Sequence, residues 1–187
     1  MQTPASSYFQ SRTCLLGAAI LHGRVDCTNR FRAAQRHPGG GMSVLRLPRA
    51  VYDDLRAHGE ETYPRECCGA LLGRAIRGGW QIDRRVGAAN SAAQSLHDRY
   101  EIAPSELVKI AQEARRLGLE IAGFYHSHPD HPSQWSATDV AEAHWLGCSY
   151  VITEISQGRA ASTSAFLLAG ATEEEKRFEL QTIQIVD

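Results

Sequence analysis

A chain of 187 residues with 43% hydrophobic content is long enough for one domain with a substantial core. Its formal charge of −1 gives no basic surface of the kind that nucleic acid or an anionic membrane selects. Its five cysteines, Cys14, Cys27, Cys67, Cys68 and Cys148, are odd in number and lack the paired spacing of a zinc ribbon, which points to a reducing, cytoplasmic setting.

Residues 1–41 differ in character from the rest of the chain, with five arginines against the single acid Asp26 and no sustained periodicity. The apolar piece Cys14 to Leu21 is too short to span a bilayer. The basic start is thin for a signal peptide and no clear small-residue cleavage site comes after it. The segment is therefore expected to be either a disordered leader or the product of a mis-assigned start. Gly39-Gly40-Gly41 is what a purine-rich ribosome-binding site would spell in frame, so Met42 is the preferred first residue.

From there the pattern predicts one domain over 43–187. Pro48 opens a helix with Val51 and Leu55 one turn apart on its inner face, which stops before Pro64. A strand from Glu66 to Leu72 and a second through Trp80, Ile82 and Val86 form a hairpin. Adjacent on the first strand, Cys67 and Cys68 face opposite ways and serve as small core residues rather than as a joint metal site. A polar loop from Asn90 to Asp98 leads to a short edge strand, Arg99 to Ile102. Pro104 starts a helix in which Leu107, Ile110, Ala111, Ala114 and Leu117 keep the helical period until Gly118 ends it.

Ile121-Ala122-Gly123-Phe124-Tyr125 is an apolar run of the kind that forms a buried strand. Strand side chains alternate, so a strand continuing through His128 turns His126 and His128 to one side, close enough to share an ion, while Ser127 points away. Ser136 reads as a helix N-cap, and its helix, expected to reach about Leu146 with Val140 and Ala143 inward, carries Asp139 on the first turn as a third ligand. His144, five residues past Asp139, cannot share its face. Trp135 is expected to cover the helix start, and Asp130 and His131 to sit on a solvated turn. Strands at Ser149–Ile155, Ser164–Leu168 and Phe178–Val186 complete the pattern. Interleaved strands and helices of this kind are of the α/β class, a mixed β-sheet flanked by helices.

Taken alone, His-x-His is a weak signal. The string His126-Ser127-His128-Pro129, then Ser136, then Asp139 fixes four polar side chains across fourteen positions, and it resembles the signature of the JAMM (MPN-plus) family, the Jab1/Mov34-type zinc metalloproteases. That family also has an upstream glutamate. Here Pro64-Arg65-Glu66-Cys67-Cys68-Gly69-Ala70-Leu71-Leu72-Gly73 is similar to the segment of its minimal bacterial members; on its own Glu66 reads as a surface ion-pair residue at a strand end. A competing reading, the His-x-His-x-Asp-His motif of metallo-β-lactamase-like hydrolases, fails because His144 is the only later histidine.

The resemblance implies a JAMM (cytidine deaminase-like) architecture and one zinc ion per chain held by His126, His128 and Asp139. It also implies Glu66 as general base and Ser136 as the donor that stabilises the tetrahedral intermediate. Larger eukaryotic deubiquitinating members carry insertions that grip ubiquitin chains, and the loop between Glu66 and His126 is too modest for them. The minimal members act on ubiquitin-like sulfur-carrier proteins ending in Gly-Gly. The implied activity is a zinc-dependent peptidase or isopeptidase cutting after such a tail; the alternative is a non-enzymatic MPN-type scaffold, a role taken by relatives that lack the ligands.

Overall fold

The structure, a computed structural model, describes residues 43–92 and 99–187. The leader, with Cys14 and Cys27, and most of the Asn90–Asp98 loop lie outside those residues. In chain order the elements are β1 (Val44–Pro48), α1 (Arg49–Thr62), β2 (Cys68–Ile76), β3 (Gly79–Ala88), α2 (Pro104–Leu117), β4 (Glu120–Pro129), α3 (Ala137–Glu142), β5 (Ser149–Ser156), β6 (Arg159–Ala169) and β7 (Arg177–Val186).

The expected mixed sheet with helices is present, but it is closed. The order is β1-β3-β2-β4-β5-β6-β7, and β1 pairs in parallel with both β3 and β7, joining the two ends. Closure removes the edges that an open sheet must protect. One core cluster draws Leu45, Leu71, Trp80, Tyr125, Val151 and Leu167 from six of the strands together with Val51 and Leu55 of α1, with Ile183 of β7 packed against it. The second lies on the other face of the central strands, where Ala70, Leu72, Ile121, Phe124 and Tyr150 meet Ile110 and Ala114 of α2.

A register shift decides what each face of β4 carries. Leu71 pairs with Gly123 but Leu72 pairs with Ile121, so Ala122 is an extra residue. Beyond it Tyr125 turns to the α1 core, while Phe124 turns to the α2 core. His126 and His128 follow Phe124 at two-residue spacing on that face, as the alternation predicts.

Four expectations need correction. β2 begins at Cys68 and runs on to Ile76, so Glu66 precedes the strand instead of lying on it. Arg99 to Ile102 makes no strand; only a single bridge joins Ile102 to Asn90. Helix α3 stops at Glu142, well short of Leu146. Its last carbonyls are taken by Lys176, whose Nζ donates to Ala141 O and Ala143 O, and the chain leaves extended so that Trp145 can pack edge-on to Phe124. Ala143 is buried as expected, but Val140 is only half-buried. No helix among the described residues is long and apolar enough to cross a membrane.

A polar network ties α1 to the sheet behind the histidine strand. Arg85 grips Asp54 through Nε and Nη2 at 2.6 and 2.7 Å and donates from Nη1 to Tyr125 Oη at 3.1 Å. A guanidinium only donates, so the tyrosine hydroxyl gives its own proton to His58 Nδ1, 2.9 Å away. That bond needs a neutral His58. Burial, and then the charge of Arg85, push the His58 pKa below its ordinary 6.5, against the opposing pull of Glu61 and Asp54. A depressed histidine pKa means that the unfolded chain takes the proton first, so stability present above pH 6.5 is lost as pH falls toward the folded value. Chemical denaturation across this window is expected to show wild type losing stability more steeply than His58→Gln; equal slopes would remove His58 from the account.

Candidate metal centre

His126 and His128 reach the site from the C-terminal half of β4, and Asp139 reaches it from the first turn of α3. One donor atom from each lies within 4.8 Å of the others. His126 Nε2 stands 3.0 Å from His128 Nε2 and 3.2 Å from Asp139 Oδ1, and His128 Nε2 is 3.6 Å from Asp139 Oδ2. His126 is buried, whereas His128 and Asp139 are half-buried.

The arrangement is held from outside. His128 Nδ1 donates to the carbonyl of Pro132 at 3.0 Å, which leaves Nε2 as the nitrogen with a free electron pair. Burial, then the neighbouring His126, lower the His128 pKa, so the ring is neutral at neutral pH. The loop that presents Pro132 is anchored at Ser133, whose hydroxyl meets those of Ser162 and Ser164 on β6 at 2.8 and 2.9 Å. Asp139 is fixed by a capping box: Oδ2 accepts from the Ser136 N–H and hydroxyl at 2.6 and 2.7 Å, while Ser136 Oγ accepts from the Asp139 N–H at 3.1 Å. Burial works against the charge on Asp139, yet hydrogen bonds from His126 and Ser136 outweigh it and keep the carboxyl ionised far below the usual carboxylate range.

These residues fit a divalent cation. With His128 Nε2 restricted to accepting, the proton between the rings belongs to His126 Nε2, and it faces His128 Nε2 and Asp139 Oδ1 together. Two imidazoles and a carboxylate gathered around one proton form the donor set that zinc takes in catalytic sites. The nearby thiols are poor additional ligands, since burial pushes the Cys68 pKa up to about 12 and raises that of Cys67.

Glu66 is buried although it lies outside any strand. Pairing between β2 and β4 extends past Cys68↔His126: Ser127 N–H donates to Cys67 O at 3.2 Å, and Cys67 N–H donates to Ser127 Oγ at 2.9 Å. Glu66 is the next residue outward from this pair, and Asn90 Nδ2 donates to its carbonyl at 3.2 Å. Its charge and that of Asp139 both act on the phenol of Tyr100, whose pKa burial raises first and foremost.

Ser136 lies beside Asp139 as expected, but its hydroxyl proton points to Oδ2. Trp135 is 43% exposed and stands against Phe178, with ring centroids 6.2 Å apart, lining one depression with Ala137 and Val140 of α3. Asp130 is exposed yet fully engaged, accepting from Tyr63 Oη and from Gln157 N–H at 2.8 Å each. His144 is exposed, 3.4 Å from Glu173. Two participants have no signature in the sequence. Tyr100 stacks on the His126 ring, and the Pro132 carbonyl sets the His128 tautomer; each arises from chain folded back by tertiary contacts.

The profile of prokaryotic homologs of the JAB domain matches residues 48–168. A desampylase of Haloferax volcanii is 34% identical over 117 residues, 59% of this chain and 80% of its own length. A probable TtuB-protein conjugate cleaving protease of Thermus thermophilus is 34% identical over 110 residues, 58% of this chain and 70% of its own. Among solved structures, a Salinibacter ruber protein is 32% identical with a TM-score of 0.57, covering 75% of this chain and 92% of that one. Protein DSY2949 from Desulfitobacterium hafniense shares the fold at 23% identity, with a TM-score of 0.65 over 77% and 94% of the two chains. The profile spans most of the domain and the donor residues fall within it, so the chain belongs to the family of prokaryotic JAB-domain homologs, the minimal JAMM/MPN type.

Proposed function

We propose that this protein is a zinc-dependent peptidase or isopeptidase of JAMM architecture that hydrolyses the bond after the Gly-Gly tail of a ubiquitin-like sulfur-carrier protein in the cytoplasm. The observation that carries this reading is the convergence of His126, His128 and Asp139, and the buried Glu66 just ahead of the strand that pairs with β4 supports it. The names of the two curated relatives, a desampylase and a probable conjugate-cleaving protease, support a ubiquitin-like conjugate as the substrate class.

One zinc ion per chain, held by those three side chains, would supply Lewis-acid polarisation and a water of lowered pKa. Glu66 takes the proton from the attacking water and returns it to the leaving amine. Ser136 donates to the oxygen on which charge develops, after its hydroxyl turns from Asp139 Oδ2 toward the substrate; the two N–H and O–H donors it now offers that carboxylate then fall to one. A diglycine tail suits a narrow cleft because it lacks the side chains that would hold its backbone away. The scaffold alternative is disfavoured, since scaffold relatives lack ligands that this chain retains.

Purified protein is to be incubated with Gly-Gly-terminated carriers bearing C-terminal extensions, with and without chelator. The expected result is cleavage directly after the second glycine, abolished by chelation and restored by zinc. Equal cleavage in both arms, or none with any carrier while zinc is bound, would sink the proposal.

A further inference from the structure

The two imidazoles of the centre are not secured alike. His128 has its second nitrogen bonded to the Pro132 carbonyl, whereas His126 Nδ1 is buried and has no hydrogen-bond partner among the described residues. A ligating histidine ordinarily has that nitrogen tied to a carboxylate or carbonyl, which fixes the plane of the ring. His126 has a ring face instead. Tyr100 lies over it with centroids 4.4 Å apart and planes 24° from parallel, a stacked geometry.

Tyr100 belongs to no helix or strand, so its position depends on what holds the chain around it. Asn90 does this. Its Nδ2 donates to Glu66 O at 3.2 Å and to Arg99 O at 3.0 Å, while its Oδ1 accepts from Ala92 N–H at 3.0 Å and Glu101 N–H at 3.1 Å. Two donors and two acceptor sites are all that a carboxamide has. One side chain thus ties the backbone of Glu66 to the backbone on both sides of Tyr100. Ser91 reinforces the tie, donating from N–H and Oγ to Glu101 O at 2.9 and 3.0 Å.

We infer that Tyr100 and Asn90 are positioning residues of the metal centre: the Tyr100 ring fixes the plane of His126, and Asn90 sets that ring and Glu66 in one frame. The inference rests on the reading of His126, His128 and Asp139 as a metal centre. It assigns the task to the aromatic face, so the phenol hydroxyl is dispensable and the ring is not.

The test measures zinc affinity of metal-free wild type, Tyr100→Phe, Tyr100→Leu and Asn90→Asp by competition with a chromogenic chelator, with the melting temperature of each metal-free protein alongside. Tyr100→Phe is expected to bind like wild type. Tyr100→Leu is expected to bind about 10- to 100-fold more weakly, the usual consequence of losing an outer support of a ligand. Asn90→Asp keeps the acceptors but loses both donors, and is expected to weaken zinc and to lower kcat with KM little changed. Should Tyr100→Leu fail to fold, Asn90→Asp against Tyr100→Phe decides the matter. Wild-type affinity in Tyr100→Leu or in Asn90→Asp, or an equal loss in Tyr100→Phe and Tyr100→Leu, overturns the inference while leaving the metal centre standing; absence of zinc binding by wild type would instead remove the reading on which it rests.

Discussion

Replacing Glu66 with Gln is expected to abolish hydrolysis while zinc content stays at the wild-type level. The three donor atoms that converge come from His126, His128 and Asp139, so the ion does not need the Glu66 carboxylate. Glutamine matches glutamate in size, so the buried position tolerates the exchange. What disappears is a group that can accept a proton at neutral pH. General-base catalysis is worth about 10²- to 10⁴-fold, and the turnover number should fall within or beyond that range. Single-turnover cleavage assays paired with metal analysis of the same samples provide the check. A variant that keeps both its zinc and more than a tenth of its activity would remove Glu66 as the base.

Asp139→Asn should act on the other half of the centre and lose the metal itself. One oxygen of Asp139 accepts two hydrogen bonds from Ser136 and the other faces His126. An amide cannot satisfy both sides. If its oxygen keeps the cap, its NH₂ group is turned toward the ion; if its oxygen turns to the ion, the NH₂ group confronts the Ser136 N–H and hydroxyl. Loss of the negative charge adds to either outcome. Zinc affinity is expected to fall by more than about 100-fold, beyond the range seen when only an outer support is removed. Where the oxygen turns to the ion, the broken cap costs about 1 kcal/mol on top. A rise in melting temperature on adding zinc reports binding to the folded state, and it should be present in wild type and absent in Asp139→Asn. An undiminished rise would exclude Asp139 as a ligand.

The donor residues were legible because each stands in a local pattern whose geometry is known in advance. Alternation along a strand is enough to put His126 and His128 on one side, and a cap residue three positions before an acid is enough to start a helix that presents Asp139. Both devices appear in β4 and α3. The same logic failed where local preference was weak. Residues Ala143 to Leu146 carry a helical pattern, yet the chain there leaves the helix, because Lys176 takes its carbonyls and Trp145 gains an aromatic neighbour in Phe124.

Sequence by itself therefore determined the family, the places of α1, α2 and β4, and the grouping of His126, His128 and Asp139, since these depend on spacings of a few residues along one strand or one helical turn. Only the tertiary structure decided that the sheet closes through β1, that Glu66 is buried ahead of β2, that Pro132 sets a tautomer and that Tyr100 covers His126. Each of these is a contact between segments whose separation along the chain or irregular backbone hides it from any periodicity. The pairing of β2 with β4 joins residues from Gly73↔Glu120 to Cys68↔His126, 47 to 58 positions apart, and the physical cause is burial: both strands are apolar on both faces, so each must find neighbours wherever the fold supplies them.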